Sequence, residues 1–238
     1  MIKAIFFDLY NTLVTYDPPR EETHINLLKK HGINITKKAI SPAIKAGDEY
    51  FYRENSLSLV KNRAPEEQKQ FWYDYEVAVL NQAGIEPEPD LVNKVLQDLG
   101  QVKYKMAPFN DVLPVLENLK LWKYKLGIIS NIDRDINPMC KEMGFSPYLE
   151  IILTSHQTGL YKPSPEIFQL ACQTVDVNLD QAIYVGDQYQ IDVVGANRAG
   201  MTGILVDRDQ LVDEDLPEGY RISSMSDLPL LVSKIASA

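Results

Sequence analysis

The sequence predicts an α/β fold, a doubly wound parallel sheet with an α-helical domain inserted after its first strand. Three observations predict it: short apolar runs that alternate with helical patterns, polar residues that follow those runs, and one long helix-rich segment without such runs. Strands buried on both faces of a parallel sheet are almost continuously apolar, and their alternation with helices is typical of this architecture.

The predicted strands are short and most of them end at polar residues. The first covers residues 2–7 and stops at Asp8. Four later runs have the same character, at residues 124–129, 149–153, 182–185 and 202–206, and helical patterns lie between most of them, at 111–121, 134–143, 165–175 and 190–199. Because ligands bind beyond the carboxyl ends of parallel strands, we expect Asp8, Ser130 and Asp187 to gather at one edge.

The segment from about Tyr16 to Met106 interrupts this alternation. It is rich in helix formers and has no comparable apolar strand run, so we predict a helical insertion at 16–106 and a core formed by 1–15 and 107–238. The insertion carries many aromatic residues, which we interpret as its own hydrophobic core: Tyr50, Phe51, Tyr52, Phe71, Trp72, Tyr73 and Tyr75.

Composition limits the partners of this 238-residue chain. With 24 Lys and Arg against 33 Asp and Glu, the net charge is -9, which disfavours nucleic acid and anionic membranes as partners. The first apolar stretch is broken by Lys3 and is too short for a signal peptide or a membrane span, so we expect a cytoplasmic protein. The two cysteines and three histidines show no metal-ligand spacing.

Four short motifs carry the polar residues that follow the strands. They are FDLYNTL at residues 7–13, ISN at 129–131, LYKPSPEIF at 160–168 and VGDQYQIDVVGA at 185–196. Each alone has an ordinary structural interpretation as a turn or a helix cap. Their joint order resembles the four motifs of the haloacid dehalogenase superfamily, and the spacing of the last motif is its most specific part. The resemblance implies a Rossmann-like core with a helical cap inserted after the first strand.

The resemblance also implies roles for individual residues. Asp8 would be the nucleophile and Lys162 would balance its charge, while Ser130, Asn131 and backbone N–H groups near Asn11 and Thr12 would hold the transferring group. The predicted metal ligands are Asp8, the backbone carbonyl of Tyr10 and Asp187, with Asp192 behind them.

A divalent cation suits this set of residues. Two unit charges about 4 Å apart repel by roughly 4 kcal/mol at an effective dielectric constant near 20, and three carboxylates would crowd one site. A cation relieves that repulsion, and hard oxygen ligands favour Mg²⁺. We therefore expect a Mg²⁺-dependent phosphatase that acts on a small phosphorylated metabolite.

Tyr10 departs from the family pattern. Phosphatases of this superfamily usually carry a second Asp two residues after the nucleophile, as general acid and base, and here that position is Tyr10. A tyrosine with a pKa near 10 is a poor base at neutral pH, although it can donate a hydrogen bond. General acid–base help is typically worth about 10²- to 10⁴-fold in rate, so its loss weakens a phosphatase without abolishing it.

Tyr10 leaves two alternatives open. A tyrosine here resembles the metal-independent 2-haloacid dehalogenase branch, in which halide leaves without protonation and an arginine of the cap, such as Arg20, Arg53 or Arg63, would hold it. The second alternative is a weakly active or non-catalytic protein that binds phosphate or a partner. In either enzyme the cap is expected to exclude water and set substrate choice. No Gly-x-Gly-x-x-Gly follows the first strand, which excludes a dinucleotide site.

Overall fold

The computed structural model of the protein describes residues 1–211 and 218–237. The chain divides into two compact units. The core unit contains Met1–Thr15 and Met106–Ala238, and the helical unit contains Tyr16–Lys105.

Eight strands are present in the described residues, six of them in one parallel sheet. In chain order the strands are β1 (Ala4–Phe7), β2 (Val14–Asp17), β3 (Lys105–Pro108), β4 (Lys125–Ser130), β5 (Leu149–Thr154), β6 (Ala182–Gly186), β7 (Thr202–Val206) and β8 (Tyr220–Ile222). The large sheet has the order β5-β4-β1-β6-β7-β8, and each strand runs parallel to its neighbours. This architecture confirms the predicted fold class. The pairing of β2 with β3 and the short β8 were not predicted, because their sequences lack a continuous apolar run.

β1 lies inside the sheet between β4 and β6, and each of its side chains is apolar and buried. Its side chains alternate between the two faces of the sheet, as the period of a strand requires. Ile5 and Phe7 pack in one hydrophobic cluster, and Ala4 and Phe6 pack in the cluster on the other face. The first strand therefore joins both halves of the core, and Asp8 follows it directly.

The helices fill the connections between strands and the inserted segment. They are α1 (Arg20–Lys30), α2 (Lys37–Leu57), α3 (Pro65–Gln82), α4 (Pro89–Leu99), α5 (Val112–Leu121), α6 (Asn137–Glu142), α7 (Ser155–Thr158), α8 (Pro165–Thr174), α9 (Val194–Ala199) and α10 (Leu228–Ser237). The predicted helix at 134–143 begins later, at Asn137, where Pro138 occupies the first turn. The helix predicted at 190–199 begins instead as a π-helical turn over Tyr189–Val193, which continues into α9.

The helical unit has its own hydrophobic core. Phe71 and Tyr75 are buried in it, as predicted for its aromatic residues, whereas Trp72 remains 43% exposed. Of the described helices, none is both long enough and apolar enough to cross a membrane.

Gly127 tests the packing of the sheet. A β-carbon there would lie 2.7 Å from Ile151 Cγ1 and 2.9 Å from Phe6 Cδ1, both in the packed core. We expect Gly127→Ala to lower the free energy of unfolding by about 1–3 kcal/mol, because overpacking forces these neighbours to move. Urea unfolding followed by circular dichroism measures the change.

Gly100 provides the matched control. It ends α4 with φ -63°, and an added β-carbon meets nothing nearer than 3.5 Å. Gly100→Ala should leave stability unchanged or raise it by about 0.4–1 kcal/mol. Equal losses in the two variants would contradict the assigned packing around Gly127.

Candidate active site

The carboxyl edge of the sheet brings the predicted acidic residues together. Asp8 follows β1, and its backbone N–H donates to the Val185 carbonyl at 2.8 Å, which extends the β1–β6 pairing. Asp187 follows β6, and Asp192 lies in the π-helical turn beyond it. Oxygen atoms of Asp8, Asp187 and Asp192 lie within 4.8 Å of one another. Ser130 ends β4, the strand next to β1.

Lys162 is the cation of this cluster. Its side chain is 3% exposed, and Nζ donates to Asp8 Oδ1, Asp192 Oδ1 and Tyr184 Oη, each at 2.7 Å. An ammonium group has three hydrogens and no acceptor, so these three bonds satisfy it completely. Two of the acceptors are carboxylates, which makes these bonds charge-assisted and stronger than neutral ones.

Burial and charge oppose each other in this cluster. Burial raises the pKa of Asp8, and the opposing effect of Lys162 leaves that pKa at about 6, against an ordinary value of 3.8. Burial alone would lower the pKa of Lys162, but the charges of Asp192 and Asp8 outweigh it and raise that pKa to about 12. At neutral pH the lysine is therefore cationic and Asp8 is largely ionised, as a nucleophile requires.

Asn131 holds the backbone of Lys162. Its Nδ2 donates to the Lys162 carbonyl at 2.8 Å, and its Oδ1 accepts the Lys162 N–H at 2.8 Å. The sequence predicted Asn131 as a group that binds the substrate. In this structure the amide directs both of its polar atoms at the backbone of the lysine, so it orders the loop that carries Lys162, and the role in substrate binding stays a prediction.

The spacing of the last motif has a steric explanation. A β-carbon at Gly186 would lie 2.2 Å from Asp192 Oδ2, so only glycine leaves room for this carboxylate. A β-carbon at Gly195 would lie 2.9 Å from Pro163 Cβ, so this glycine lets the helix approach the lysine loop. Asp192 Oδ2 also accepts the N–H of Gln188 at 3.0 Å. The two glycines thus allow Asp192 and Lys162 to meet.

The loop after Asp8 is fixed by its backbone. Asn11 has φ 59°, a left-handed conformation that asparagine tolerates, and its N–H donates to the Val14 carbonyl at 2.7 Å. Thr12 is fully buried, and its carbonyl accepts from Arg208 at 2.9 Å. Tyr10 is partly buried and packs against the hydrophobic core. The N–H of Asn11 is therefore engaged within this loop.

The donor set fits Mg²⁺. When all four groups are ionised, three carboxylates and one ammonium group give the cluster a net charge of -2. Carboxylate oxygens are the ligands that Mg²⁺ prefers, and oxygens on opposite sides of the ion lie about 4 Å apart. Both oxygens of Asp192 accept hydrogen bonds in this structure, Oδ1 from Lys162 and Oδ2 from the Gln188 N–H.

The three arginines of the halide alternative are engaged within the helical unit. Arg20 pairs with Asp48 at 2.9 Å and also donates to Tyr75. Arg63 donates to the carbonyls of Glu54 and Ser58. Arg53, with its side chain 68% exposed, lies 3.6 Å from Glu54.

Tyr184 belongs to the cluster, and sequence reasoning missed it. It lies inside the predicted strand at 182–185 and is fully buried. One signal was available: a buried tyrosine usually finds a partner for its hydroxyl group, and this one interrupts an otherwise aliphatic run.

The parallel sheet and the polar cluster at its carboxyl edge define an α/β enzyme with a buried carboxylate–lysine pair. The family model of haloacid dehalogenase-like hydrolases matches residues 2–200, and the chain belongs to that family. It is therefore a hydrolase, and the resemblance seen in the four motifs is confirmed.

The chain is similar in sequence to known phosphatases and shares its fold with a dehalogenase. The chain is 29% identical to a glyceraldehyde 3-phosphate phosphatase of Methanopyrus kandleri, over 99% of each chain. It is 25% identical to a ribulose-1,5-bisphosphate 5-phosphatase of Halopiger xanaduensis, over 87% of this chain and 85% of the relative. The crystal structure of a 2-haloacid dehalogenase from Pseudomonas syringae shares the fold, with a TM-score of 0.58, 22% identity and coverage of 98% and 99%.

Asp8 gives the stability of the metal-free protein a distinct pH dependence. Its folded-state pKa of about 6 exceeds the ordinary 3.8, so the folded protein binds this proton more tightly than the unfolded chain. The resulting stabilisation is complete below about pH 4 and is lost as pH rises through about 6. Since one pKa unit is worth about 1.4 kcal/mol, the loss is about 3 kcal/mol.

The comparison that isolates this effect is wild type against Asp8→Asn, both unfolded in urea with a chelator at several pH values between 4 and 7.5. We expect wild type to lose about 3 kcal/mol relative to the variant across this range. Parallel stability curves would show that Asp8 has no raised pKa.

Proposed function

We propose that the protein is a Mg²⁺-dependent phosphatase that hydrolyses a small phosphorylated metabolite through an aspartyl-phosphate on Asp8. One observation carries the proposal: a buried carboxylate is held by a lysine 2.7 Å away, beside two further carboxylates, and the net negative charge of this cluster suits a divalent cation. The phosphatases reported above, named for glyceraldehyde 3-phosphate and ribulose 1,5-bisphosphate, support this substrate class.

In the first step, a carboxylate oxygen of Asp8 attacks phosphorus. The bond from phosphorus to the leaving oxygen breaks and that oxygen keeps the electron pair, so an aspartyl-phosphate and an alkoxide or its protonated alcohol result. Lys162 binds Oδ1 of Asp8, which leads us to assign the attack to Oδ2. The lysine charge also offsets the negative charge of the approaching phosphate.

The proposed metal ligands are Asp8, the backbone carbonyl of Tyr10 and Asp187. When bound, Mg²⁺ would neutralise the crowded carboxylates and polarise a phosphoryl oxygen. Asp192 lies behind these ligands, because its Oδ1 accepts a hydrogen bond from Lys162 and its Oδ2 accepts one from the Gln188 N–H. Ser130, at the end of β4, and the next residue, Asn131, are the side chains that we assign to the phosphoryl group.

In the second step, water attacks the aspartyl-phosphate. The bond between phosphorus and the Asp8 oxygen breaks, inorganic phosphate leaves and the carboxylate is restored. Tyr10 is a weak base for this water, so we expect slow turnover compared with a phosphatase that has a carboxylate in that place.

Dehalogenation is the second candidate, and Tyr10 is the observation that favours it. The acidic pair Asp187 and Asp192 and the engagement of Arg20, Arg53 and Arg63 within the helical unit argue for the phosphatase. The third hypothesis is a weakly active or non-catalytic protein that binds phosphate or a partner, and it predicts a normal fold with little or no turnover.

The deciding assay compares p-nitrophenyl phosphate with Mg²⁺ and 2-chloropropionate with a chelator. We expect turnover of the phosphate ester only, and we expect Asp8→Asn to lower it more than about 1,000-fold while the far-ultraviolet circular dichroism spectrum is unchanged. Chloride release from 2-chloropropionate would establish the dehalogenase. A folded wild type inactive on both substrates would favour the binding protein.

Leaving-group quality provides a further prediction. Without a carboxylate at the position of Tyr10, an alkoxide leaves poorly, whereas an aryl or acyl phosphate loses a stable anion. Because kcat/KM reports the step in which the leaving group departs, we expect kcat/KM for p-nitrophenyl phosphate to exceed that for an alkyl phosphate such as glycerol 2-phosphate by about 100-fold or more, the typical worth of general acid help. Equal rates would mean that another group protonates the leaving oxygen.

A further inference from the structure

Tyr184 provides the third hydrogen-bond acceptor of the buried Lys162 ammonium group. Its hydroxyl group accepts from Lys162 Nζ at 2.7 Å and donates to the Ile129 carbonyl at 2.8 Å. The ring is fully buried and packs edge-on against Phe168, with ring centroids 5.1 Å apart. Packing and the second hydrogen bond therefore fix the position of this oxygen.

At this position a hydroxyl group has an advantage over a carboxylate, because it accepts a hydrogen bond without carrying a charge. It is an uncharged acceptor, so it binds the third ammonium hydrogen without adding a negative charge to the three carboxylates nearby. Burial, followed by the charges of Asp192 and Asp8, raises the pKa of Tyr184 well above 10, so the group stays a neutral phenol at physiological pH. As a phenol it has the hydrogen that the Ile129 carbonyl accepts.

We propose that Tyr184 is a positioning residue of the reaction, which aims the Lys162 ammonium group at Asp8 by binding its third hydrogen. The proposal rests on the function proposed for Asp8 and Lys162. Without this acceptor, a buried ammonium hydrogen has no partner, and the lysine must shift to recover one. A shift of the lysine changes the charge opposite the attacking carboxylate while leaving the groups that touch the substrate in place.

The first experiment compares Tyr184→Phe with Tyr124→Phe. The first variant keeps the buried ring and removes only the hydroxyl group, and the second removes the hydroxyl group of a half-buried tyrosine next to β4 that is not part of this cluster. With p-nitrophenyl phosphate and Mg²⁺, we expect kcat to fall about 10- to 100-fold in Tyr184→Phe with KM changed less than about threefold. Tyr124→Phe should match wild type, and a wild-type kcat in Tyr184→Phe would overturn the proposal.

A double-mutant cycle separates positioning from a general structural role. If Tyr184 acts through the lysine, Tyr184→Phe should lower kcat by less than about twofold when it is added to Lys162→Gln. If the tyrosine only supports the fold, it should lower kcat by the same factor in both backgrounds, which would refute the proposal.

A spectroscopic readout keeps this inference separate from the proposed function. In ¹H–¹⁵N spectra of lysine side chains, a buried ammonium group with three bonds exchanges slowly with water. We expect one such signal in wild type, with a nuclear Overhauser contact to the Tyr184 ring, and none in Lys162→Gln. This measurement needs neither activity nor a folded Tyr184→Phe protein, and a wild type without that contact would refute the placement even if the protein proves to be a phosphatase.

Discussion

The candidate site depends on one interaction, the buried ammonium group of Lys162 shared between Asp8 and Asp192. Its partners are far apart in sequence, since Lys162 and Asp8 are separated by 154 positions. A charge taken out of water costs free energy unless it is paired and hydrogen-bonded, and this group meets that condition with three acceptors at 2.7 Å. The pairing holds the lysine loop against the edge of the sheet and keeps Asp8 at a fixed orientation.

The same interaction explains why glycine occupies two positions of the last motif. Gly186 makes room for the Asp192 carboxylate, and Gly195 makes room for the segment around Pro163. The π-helical turn over Tyr189–Val193 places Asp192 within reach of both Lys162 and the Gln188 N–H. π-Helical turns occur often at functional sites, because they redirect one side chain inside a helix. The backbone of the last motif is thus shaped around one carboxylate.

Electrostatics connects the site to its chemistry. A single lysine does not neutralise three carboxylates, so the cluster retains negative charge, and burial makes that charge more costly than it would be in water. A divalent cation is the simplest counter-charge, and a phosphate ester with its own negative charge would need it most. In the proposed reaction, Tyr10 bears on proton transfer to the leaving group and does not alter this balance of charge.

The sequence by itself determined the fold class, the sheet edge and the family. Continuous apolar runs such as residues 182–185 and the polar residues behind them are local patterns, and the rules for parallel strands place those residues at one edge. Only the tertiary structure decided which side chains meet. Tyr184 accepts a hydrogen bond from the lysine, and the Asn131 amide binds the Lys162 backbone. These contacts depend on distances between residues of separate strands and loops, to a fraction of an ångström, and no periodicity along the chain encodes them.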